Sequence, residues 1–424
     1  MQQIGNYPIV RKLGEGATSE VFLCHDPFRN REVAVKRIFP EALYDPVRGR
    51  LFRKLFFTEA SLAGKLVHPH ICQIFDAGMG DDSGYIVMEY VPGGTMERFC
   101  APENLLPVDQ VVDIVFKCTR ALAYAHMHGV AHRDIKPGNL LYASGPTDVR
   151  ISDFGLALNV GAQTTQITGV GSPAYMSPEQ IREEVVDHRT DLYSLGVVLY
   201  QLLVGKLPFE ATNKFSMIYQ ITHVDPRSPS TARHEVPASL DHIVRRAMQK
   251  EADRRYHSAD EFADELVAAL RARRDGRPDV FGDADKFAAL RALRFFAAFS
   301  DPELWEVVAL AQWEKTATDT VLIREGDRGD FFCVVLDGEV RVTKNKKLLS
   351  VLGAGECFGE MAYLSLGSPL RGATVAAAAD SRILRIAVAA LGQASISCRS
   401  KFDRAFIGIL VERLNLANTR LTSG

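Results

Sequence analysis

The chain has no CxxC pair, no surplus of either charge and no long apolar run, and each absence removes a class of protein. Its seven cysteines (Cys24, Cys72, Cys100, Cys118, Cys333, Cys357 and Cys398) are scattered and odd in number, which argues against a disulfide framework or a zinc site and fits a reducing setting. A net charge of -2 exerts no general pull toward nucleic acid or membrane, so any partner has to be met by a local site. No segment reaches the ~18 uninterrupted apolar residues of a membrane span. The start, Met1-Gln2-Gln3-Ile4-Gly5-Asn6, lacks the basic residues and apolar core of a signal peptide. The expectation is a cytoplasmic protein with no nucleic-acid and no membrane partner.

With 424 residues, 47% of them hydrophobic, there is enough chain for two or three domains with their own cores. From Tyr7 to about Leu270, short β-branched runs give way to longer helical patterns such as Val108 to His128. Arg271 to Asp279 breaks that pattern with charge, glycine and proline, a composition that reads as a linker. Beyond it Phe287 to Trp313 reads as helical, Val321 to Ile386 as short strands with Gly-Asp turns, and Phe402 to Leu421 as helical again. The expected class is α+β in two domains, residues 7–270 and 287–424, joined by a linker over 271–286.

The most informative stretch runs from His132 to Gly155, HRDIKPGNLLYASGPTDVRISDFG. Asp134 can hold a hydroxyl, while Asn139 and Asp153 offer oxygen ligands to a hard cation such as Mg²⁺. Two motifs at fixed spacing, joined by strand-like Asp148-Val149-Arg150-Ile151, carry far more weight than a lone His-x-Asp. Upstream, Gly14-Glu15-Gly16-Ala17-Thr18-Ser19-Glu20-Val21 lies between two strand-like runs, and its small residues let backbone N–H groups approach phosphates. Val33-Ala34-Val35-Lys36 then places a lysine on a strand, and Glu59 in Thr58-Glu59-Ala60-Ser61-Leu62 is its candidate partner. For an arbitrary Lys and Glu a solvated surface pair is the commoner reading; the flanking motifs reverse it.

Residues 7 to 270 as a whole resemble the protein kinase family, particularly its bacterial serine/threonine members. The resemblance implies a bilobal fold, a β-rich lobe before a helical one, with ATP and Mg²⁺ in the cleft. It implies Asp134 as base or substrate-orienting group, Lys136 as the residue that neutralises charge on the transferring phosphoryl group, and Asn139 and Asp153 as metal ligands. Lys36 becomes the ATP anchor, paired with Glu59. Gly14, Glu15, Gly16, Ala17, Val21 and Ala34 fall in the ATP-binding set, with Met88 as gatekeeper and Glu89 and Val91 at the hinge. Ser19 replaces the third glycine of the loop. Gly155 completes an Asp-Phe-Gly turn, and Gly171 to Glu179 resembles the substrate-docking end of the activation segment, with Ser177 where the family usually has alanine. Lysine at position 136 resembles serine/threonine kinases rather than tyrosine kinases. Glu179 with Arg255, and Asp191, fit architectural positions. Arg133 beside Asp134 could receive a phosphate on the activation segment, which implies autophosphorylation. Thr164, Thr165 and Thr168 are the candidates, or else simply polar loop residues.

Farther on, Phe358-Gly359-Glu360-Met361-Ala362-Tyr363 followed by Arg371-Gly372-Ala373-Thr374-Val375 resembles the phosphate-binding cassette of cyclic nucleotide-binding domains, a helix-flanked β-roll. Glu360 can accept from a ribose 2′-OH and Arg371 can fork onto a cyclic phosphate, with Gly359 and Ala373 beside them. Gly372 lacks a hydroxyl that cGMP-selective domains often place there, so cAMP is preferred over cGMP. The alternative is a β-roll that serves only as a docking or dimerisation module. Phe406, Leu410, Leu414 and Leu421 could cap a purine, pair with another helix in a homodimer, or pack on the roll. The leading reading is a serine/threonine kinase acting on protein substrates and modulated by a cyclic nucleotide. A catalytically weak nucleotide-binding scaffold and a small-molecule phosphotransferase are the rivals.

Overall fold

A computed structural model of the chain describes residues 3–16, 19–39, 60, 64–79, 84–154, 173–274, 282–365 and 370–422. The chain divides into two compact units, Met1–Val280 and Phe281–Gly424.

The first unit opens with a six-stranded antiparallel sheet: β1 (Gln3–Ile4), β2 (Tyr7–Glu15), β3 (Ser19–Asp26), β4 (Arg31–Ile38), β5 (Ile74–Met79) and β6 (Gly84–Glu89), in the order β1-β2-β3-β4-β6-β5. β4 lies between β3 and β6, and its β-branched sequence suits a strand covered on both faces. Val33 and Val35 enter one core with Ile4, Tyr7, Phe22, Cys24 and Val87. Ala34 and Ile38 enter another with Cys72, Ile86, Met88 and Val91. Because strand side chains alternate with period two, Lys36 belongs to the second face, beside Ala34 and Ile38.

A helical region follows. Helix α1 (Val108–Met127) is buried along most of its length and leads through the His132–Asn139 loop into β8 (Leu140–Tyr142) and β9 (Val149–Ile151), which form a small sheet with β7 (Gly94–Thr95). Then come α2 (Pro178–Ile181), α3 (Arg189–Val204), α4 (Lys214–His223), α5 (Ala238–Ala247) and α6 (Ala259–Arg274). α3 is the buried axis of this region, with Leu192, Tyr193, Leu195, Val197, Val198, Leu199, Leu202 and Leu203 all shut off from solvent. A bidentate ion pair locks its start to the chain on either side: Arg255 Nη1 and Nη2 reach Glu179 Oε1 and Oε2 at 2.7 and 2.6 Å. Thr190 Oγ1 donates to the same carboxylate at 2.7 Å.

The second unit begins with α7 (Asp283–Ala292) and α8 (Asp301–Leu310). Eight strands then form two four-stranded sheets. One holds β10 (Gln312–Thr316), β17 (Ser381–Ala387), β12 (Phe331–Asp337) and β15 (Cys357–Phe358); the other holds β11 (Val321–Ile323), β16 (Thr374–Ala377), β13 (Val340–Lys344) and β14 (Lys347–Leu352). Residues of both sheets share one core of Ile323, Cys333, Val335, Val340, Leu352, Phe358, Val375 and Ile383, which makes the unit a β-roll. Two short helices, α9 (Met361–Leu364) and α10 (Val388–Leu391), and the long terminal helix α11 (Ile396–Thr422) complete it.

Three expectations about elements change. The stretch read as helical from Phe287 to Trp313 is two helices with a break between them, because Ser300 and Glu303 form a capping box with Pro302 in the first turn and so start a new helix. Trp313 lies in β10, opposite Leu384. Arg271 to Arg274, read as linker from their charge, are the last turn of α6 instead: Arg273 pairs with Asp109 at 2.7 Å and donates to the Glu235 carbonyl at 2.5 Å, so charge serves a surface helix here. The terminal helix does not bury Phe406, Leu410 and Leu414 alike. Phe402 and Phe406 are buried against Phe295 and Phe332, whereas Leu410 and Leu414 are exposed. Steps of four residues overshoot one turn by about 40°, so the row winds away from the roll.

The Arg255–Glu179 pair yields a stability test. Replacing Arg255 by Met should cost about 3–5 kcal/mol, because it leaves a buried carboxylate uncompensated. Urea unfolding of the full chain would read this as a lowered midpoint.

Candidate active site and candidate nucleotide pocket

The loop after α1 is organised by a buried carboxylate. Asp191 Oδ2 accepts the His132 N–H at 2.8 Å and lies 2.9 Å from His126 Nε2, and Oδ1 accepts the Arg133 N–H at 2.6 Å. Burial by itself would push the Asp191 carboxyl up; the hydrogen bond and charge of His126, with His132, outweigh it and hold it below the ordinary aspartate range. Arg133 takes a positive φ of 63°, a strained conformation for a residue with a side chain. The His132 ring then accepts the Asp134 N–H at Nδ1, 3.2 Å, so its proton sits on Nε2, 2.7 Å from the Ser152 carbonyl. Its edge meets the Phe154 ring at 4.7 Å between centroids.

Asp134, Lys136 and Asn139 converge. Lys136 Nζ is 2.7 Å from Asp134 Oδ2, and Asn139 Nδ2 donates to the Asp134 carbonyl at 2.8 Å and to Oδ2 at 3.0 Å. With its nitrogen committed to Asp134, the Asn139 amide turns its oxygen the other way. The Asp134 side chain is 35% exposed, open enough for an incoming hydroxyl.

Lys36 of β4 and Asp153, just past β9, meet at 2.6 Å across 117 positions of chain. Asp153 also has a φ of 63°, which turns it out of the line of β9. Burial pushes its carboxyl up, but the charge of Lys36 and its hydrogen bond, with His132 and Lys136 adding to them, hold it below the usual aspartate range.

The remaining amino-terminal candidates frame this pair. Gly14 pairs with Val21 and Glu15 with Glu20 at the end of the β2–β3 hairpin, where the Gly16 N–H donates to the Ser19 carbonyl at 2.7 Å. A side chain on Gly14 would point into open space. Ala34, Met88 and Val91 lie in one apolar cluster, against which Val21 packs. Leu13, Tyr90 and Leu141 pack there too, and motif reading passed over them. Leu13 immediately precedes the first loop glycine and Leu141 follows Asn139 by two, which is the signal that was available. Glu89 is fixed structurally, its N–H on the Gln73 carbonyl at 2.8 Å and its carboxylate 3.0 Å from Arg150 Nε. Ala17, Glu59, Gly155, Thr164, Thr165 and Thr168 lie outside the described residues.

The Asp153 carboxylate beside Lys36, with the Asn139 amide oxygen on the neighbouring loop, is a donor set that fits Mg²⁺ on a nucleoside triphosphate, since Mg²⁺ takes few protein ligands and shares phosphate oxygens. Among the described residues there is no cluster of three or more His, Cys, Asp or Glu that would hold a metal alone.

In the second unit, Gly359 has a φ of 77°, and a Cβ there would lie 2.8 Å from Arg371 Nη1 and 2.9 Å from Ile323. Arg371 is buried, donates from Nη1 to the Gly359 carbonyl at 3.1 Å and from Nη2 to the Phe331 carbonyl at 2.8 Å, and lies over the Phe331 ring. Burial lowers its pKa. Glu360 is buried too, and Arg413 of α11 bonds to its Oε1 and to the Cys357 carbonyl, both at 2.6 Å. Arg413, 53 positions away, left no sequence signal. Ala373 lies between Arg371 and β16.

A family model for the protein kinase domain matches residues 7–267, and one for the cyclic nucleotide-binding domain matches residues 313–395. The chain belongs to the protein kinase family. It is 36% identical over 286 residues to serine/threonine-protein kinase PknB of Mycobacterium leprae (strain TN), covering 66% of this chain and 45% of that protein. Against PknB of Mycobacterium tuberculosis (strain ATCC 25618 / H37Rv) the identity is 36% over 293 residues, 67% of this chain and 46% of the other. Against serine/threonine-protein kinase PrkC of Bacillus subtilis (strain 168) it is 34% over 274 residues, 64% and 41%. The kinase chain thus spans somewhat less than half the length of these curated relatives. Among the described residues, no helix is long and apolar enough to cross a membrane.

The Lys36–Asp153 contact predicts a titration change. In Lys36→Met, burial acts on Asp153 with less opposition, so its carboxyl should titrate higher than in the unaltered chain, as read by carboxyl ¹³C NMR. A depressed folded-state pKa contributes stability above the unfolded value of about 3.9, lost as pH falls through the folded value. Lys36→Met should therefore show a smaller loss of stability on acidification.

Proposed function

We propose that this chain is a cytoplasmic serine/threonine protein kinase that transfers the γ-phosphoryl group of ATP to Ser or Thr hydroxyls of proteins, itself included, under the influence of a cyclic nucleotide. The Lys36–Asp153 contact carries the reading, since it brings the strand lysine to the same cleft as Asp153, with Asn139 and Asp134 on the adjoining loop. In the transfer, the acceptor oxygen bonds to the γ-phosphorus as the bond from phosphorus to the β–γ bridging oxygen breaks, and the hydroxyl proton passes toward Asp134. Asp134 orients that hydroxyl and Lys136 balances charge on the moving group. Lys36 draws the phosphates to the cleft, and Leu13, Val21, Ala34 and Leu141 enclose an apolar base. Asn139 and Asp153 would hold Mg²⁺, which would supply positive charge to the phosphates. Arg133, next to Asp134, would receive a phosphate on Thr164, Thr165 or Thr168.

For the second unit, Glu360 and Arg371 support binding of a cyclic nucleotide, cAMP before cGMP, at ribose and phosphate. A second reading has its own support. Arg371 already bonds two carbonyls and Glu360 already bonds Arg413, as a roll kept only for docking or dimerisation would have them. Exposed Ile407, Leu410 and Leu414 on α11 support the dimer form of that reading.

Asp134→Asn should lower transfer to a generic basic protein by roughly 10²–10⁴-fold, measured with radiolabelled ATP; unchanged turnover would remove Asp134 from the chemistry. Cyclic-nucleotide control predicts that cAMP changes the rate of the unaltered chain and has no effect on Arg371→Ala. Equal rates with no ligand, cAMP, cGMP and cyclic dinucleotides in both proteins would leave the docking reading.

A further inference from the structure

The peptide group between Arg133 and Asp134 is held from both ends by side chains. Its N–H goes to His132 Nδ1 at 3.2 Å, and its carbonyl, that of Arg133, accepts from Gln180 Nε2 at 2.9 Å. This peptide sets the direction in which the Asp134 side chain leaves the backbone. It also follows a residue at a φ of 63°, so the plane is not one the chain would keep unaided.

Gln180 is built for the task. It is buried on α2, 47 positions from Arg133. Its Oε1 accepts the Ser177 N–H at 3.0 Å and the Ser177 hydroxyl at 3.3 Å, while its own N–H donates back to Ser177 Oγ at 3.3 Å. Turning the amide over would face a carbonyl with an oxygen and two donors with an NH₂, so only one orientation satisfies the group. Ser177 in turn lies 3.3 Å from Thr190 Oγ1, which donates to Glu179, the partner of Arg255. These contacts run from the buried ion pair to the loop bearing Asp134, with the single Ser177 hydroxyl proton going either to Gln180 Oε1 or to Thr190 Oγ1 and the Gln180 N–H keeping Ser177 Oγ tied to α2 in both cases.

We propose that Gln180 is a positioning residue for Asp134: by holding the Arg133 carbonyl it fixes the peptide plane that aims the carboxylate, and it ties that aim to the seating of Ser177–Ile181. The inference rests on the kinase reading of Asp134. It goes beyond the capping role of the Ser177–Gln180 spacing, which would need only the Oε1 half of the amide.

The test uses the full chain with Gln180→Met, which keeps volume, and Gln180→Glu, which keeps the acceptor for Ser177 but has no N–H for Arg133. Each is made alone and on Asp134→Asn, and kcat, the KM for ATP and the thermal midpoint are measured. Both variants should lower kcat about 10–100-fold, as misplacement of a reacting group does, with the KM for ATP unchanged. On Asp134→Asn neither should cause a further loss, because the aim of that carboxylate no longer matters. The same fold loss in both backgrounds, or a lowered midpoint with kcat intact, overturns the positioning role. Absence of transfer by the unaltered chain overturns the kinase reading and this inference with it, a result distinct from the other two.

Discussion

Asp191 carries the constraint on which the rest of the first unit depends. A carboxylate with no access to water is costly unless its oxygens are met by donors, and here two backbone N–H groups and an imidazole meet them. The donors are the backbone of His132 and Arg133, so satisfying the carboxylate fixes the loop that bears Asp134. The strained φ of Arg133 follows from that demand. Asp134 itself is comparatively open, and beyond its bonds to Lys136 and Asn139 the rigidity of its backbone comes from the buried Asp191, His132 and Gln180.

Much of this was legible in the sequence, for identifiable reasons. Asp134, Asn139 and Asp153 lie within one short segment, where spacing alone keeps them near one another. Lys36 was legible through its strand, since the period of two puts it on the face of Ala34. Contacts such as Gln180 to Arg133 and Arg413 to Glu360 were not, because they join residues about fifty positions apart through no periodic pattern. Element ends failed where one residue type serves two purposes. Arg273 is as suited to a solvated linker as to a helix surface, and only its bonds to Asp109 and Glu235 decide between them.

The β-roll shows a different balance. Its hydrophobic alternation predicted strands, and Gly359 occupies a position that a side chain could take only by displacing both Arg371 and Ile323. The chemistry of its candidate pocket is already engaged by the protein. A ligand at Glu360 would have to share that carboxylate with α11, and one at Arg371 would have to use the N–H groups not given to carbonyls. Any influence on catalysis has to come from a difference in affinity between two states of the chain.

The cysteines, scattered in the sequence, fall four in the first unit and three in the second, with three buried in each. Cys24, Cys72 and Cys118 are buried in the first unit and Cys333, Cys357 and Cys398 in the second, with Cys100 half-buried. Burial pushes their thiols up, Cys24 to about 11 and Cys118, Cys333 and Cys398 to about 12, so the reactive thiolate is scarce while the chain is folded. Each unit therefore carries its own set of silent thiols, which an alkylating reagent reaches only as that unit opens. Mapped peptide by peptide, their modification would time the opening of the two units separately within one molecule.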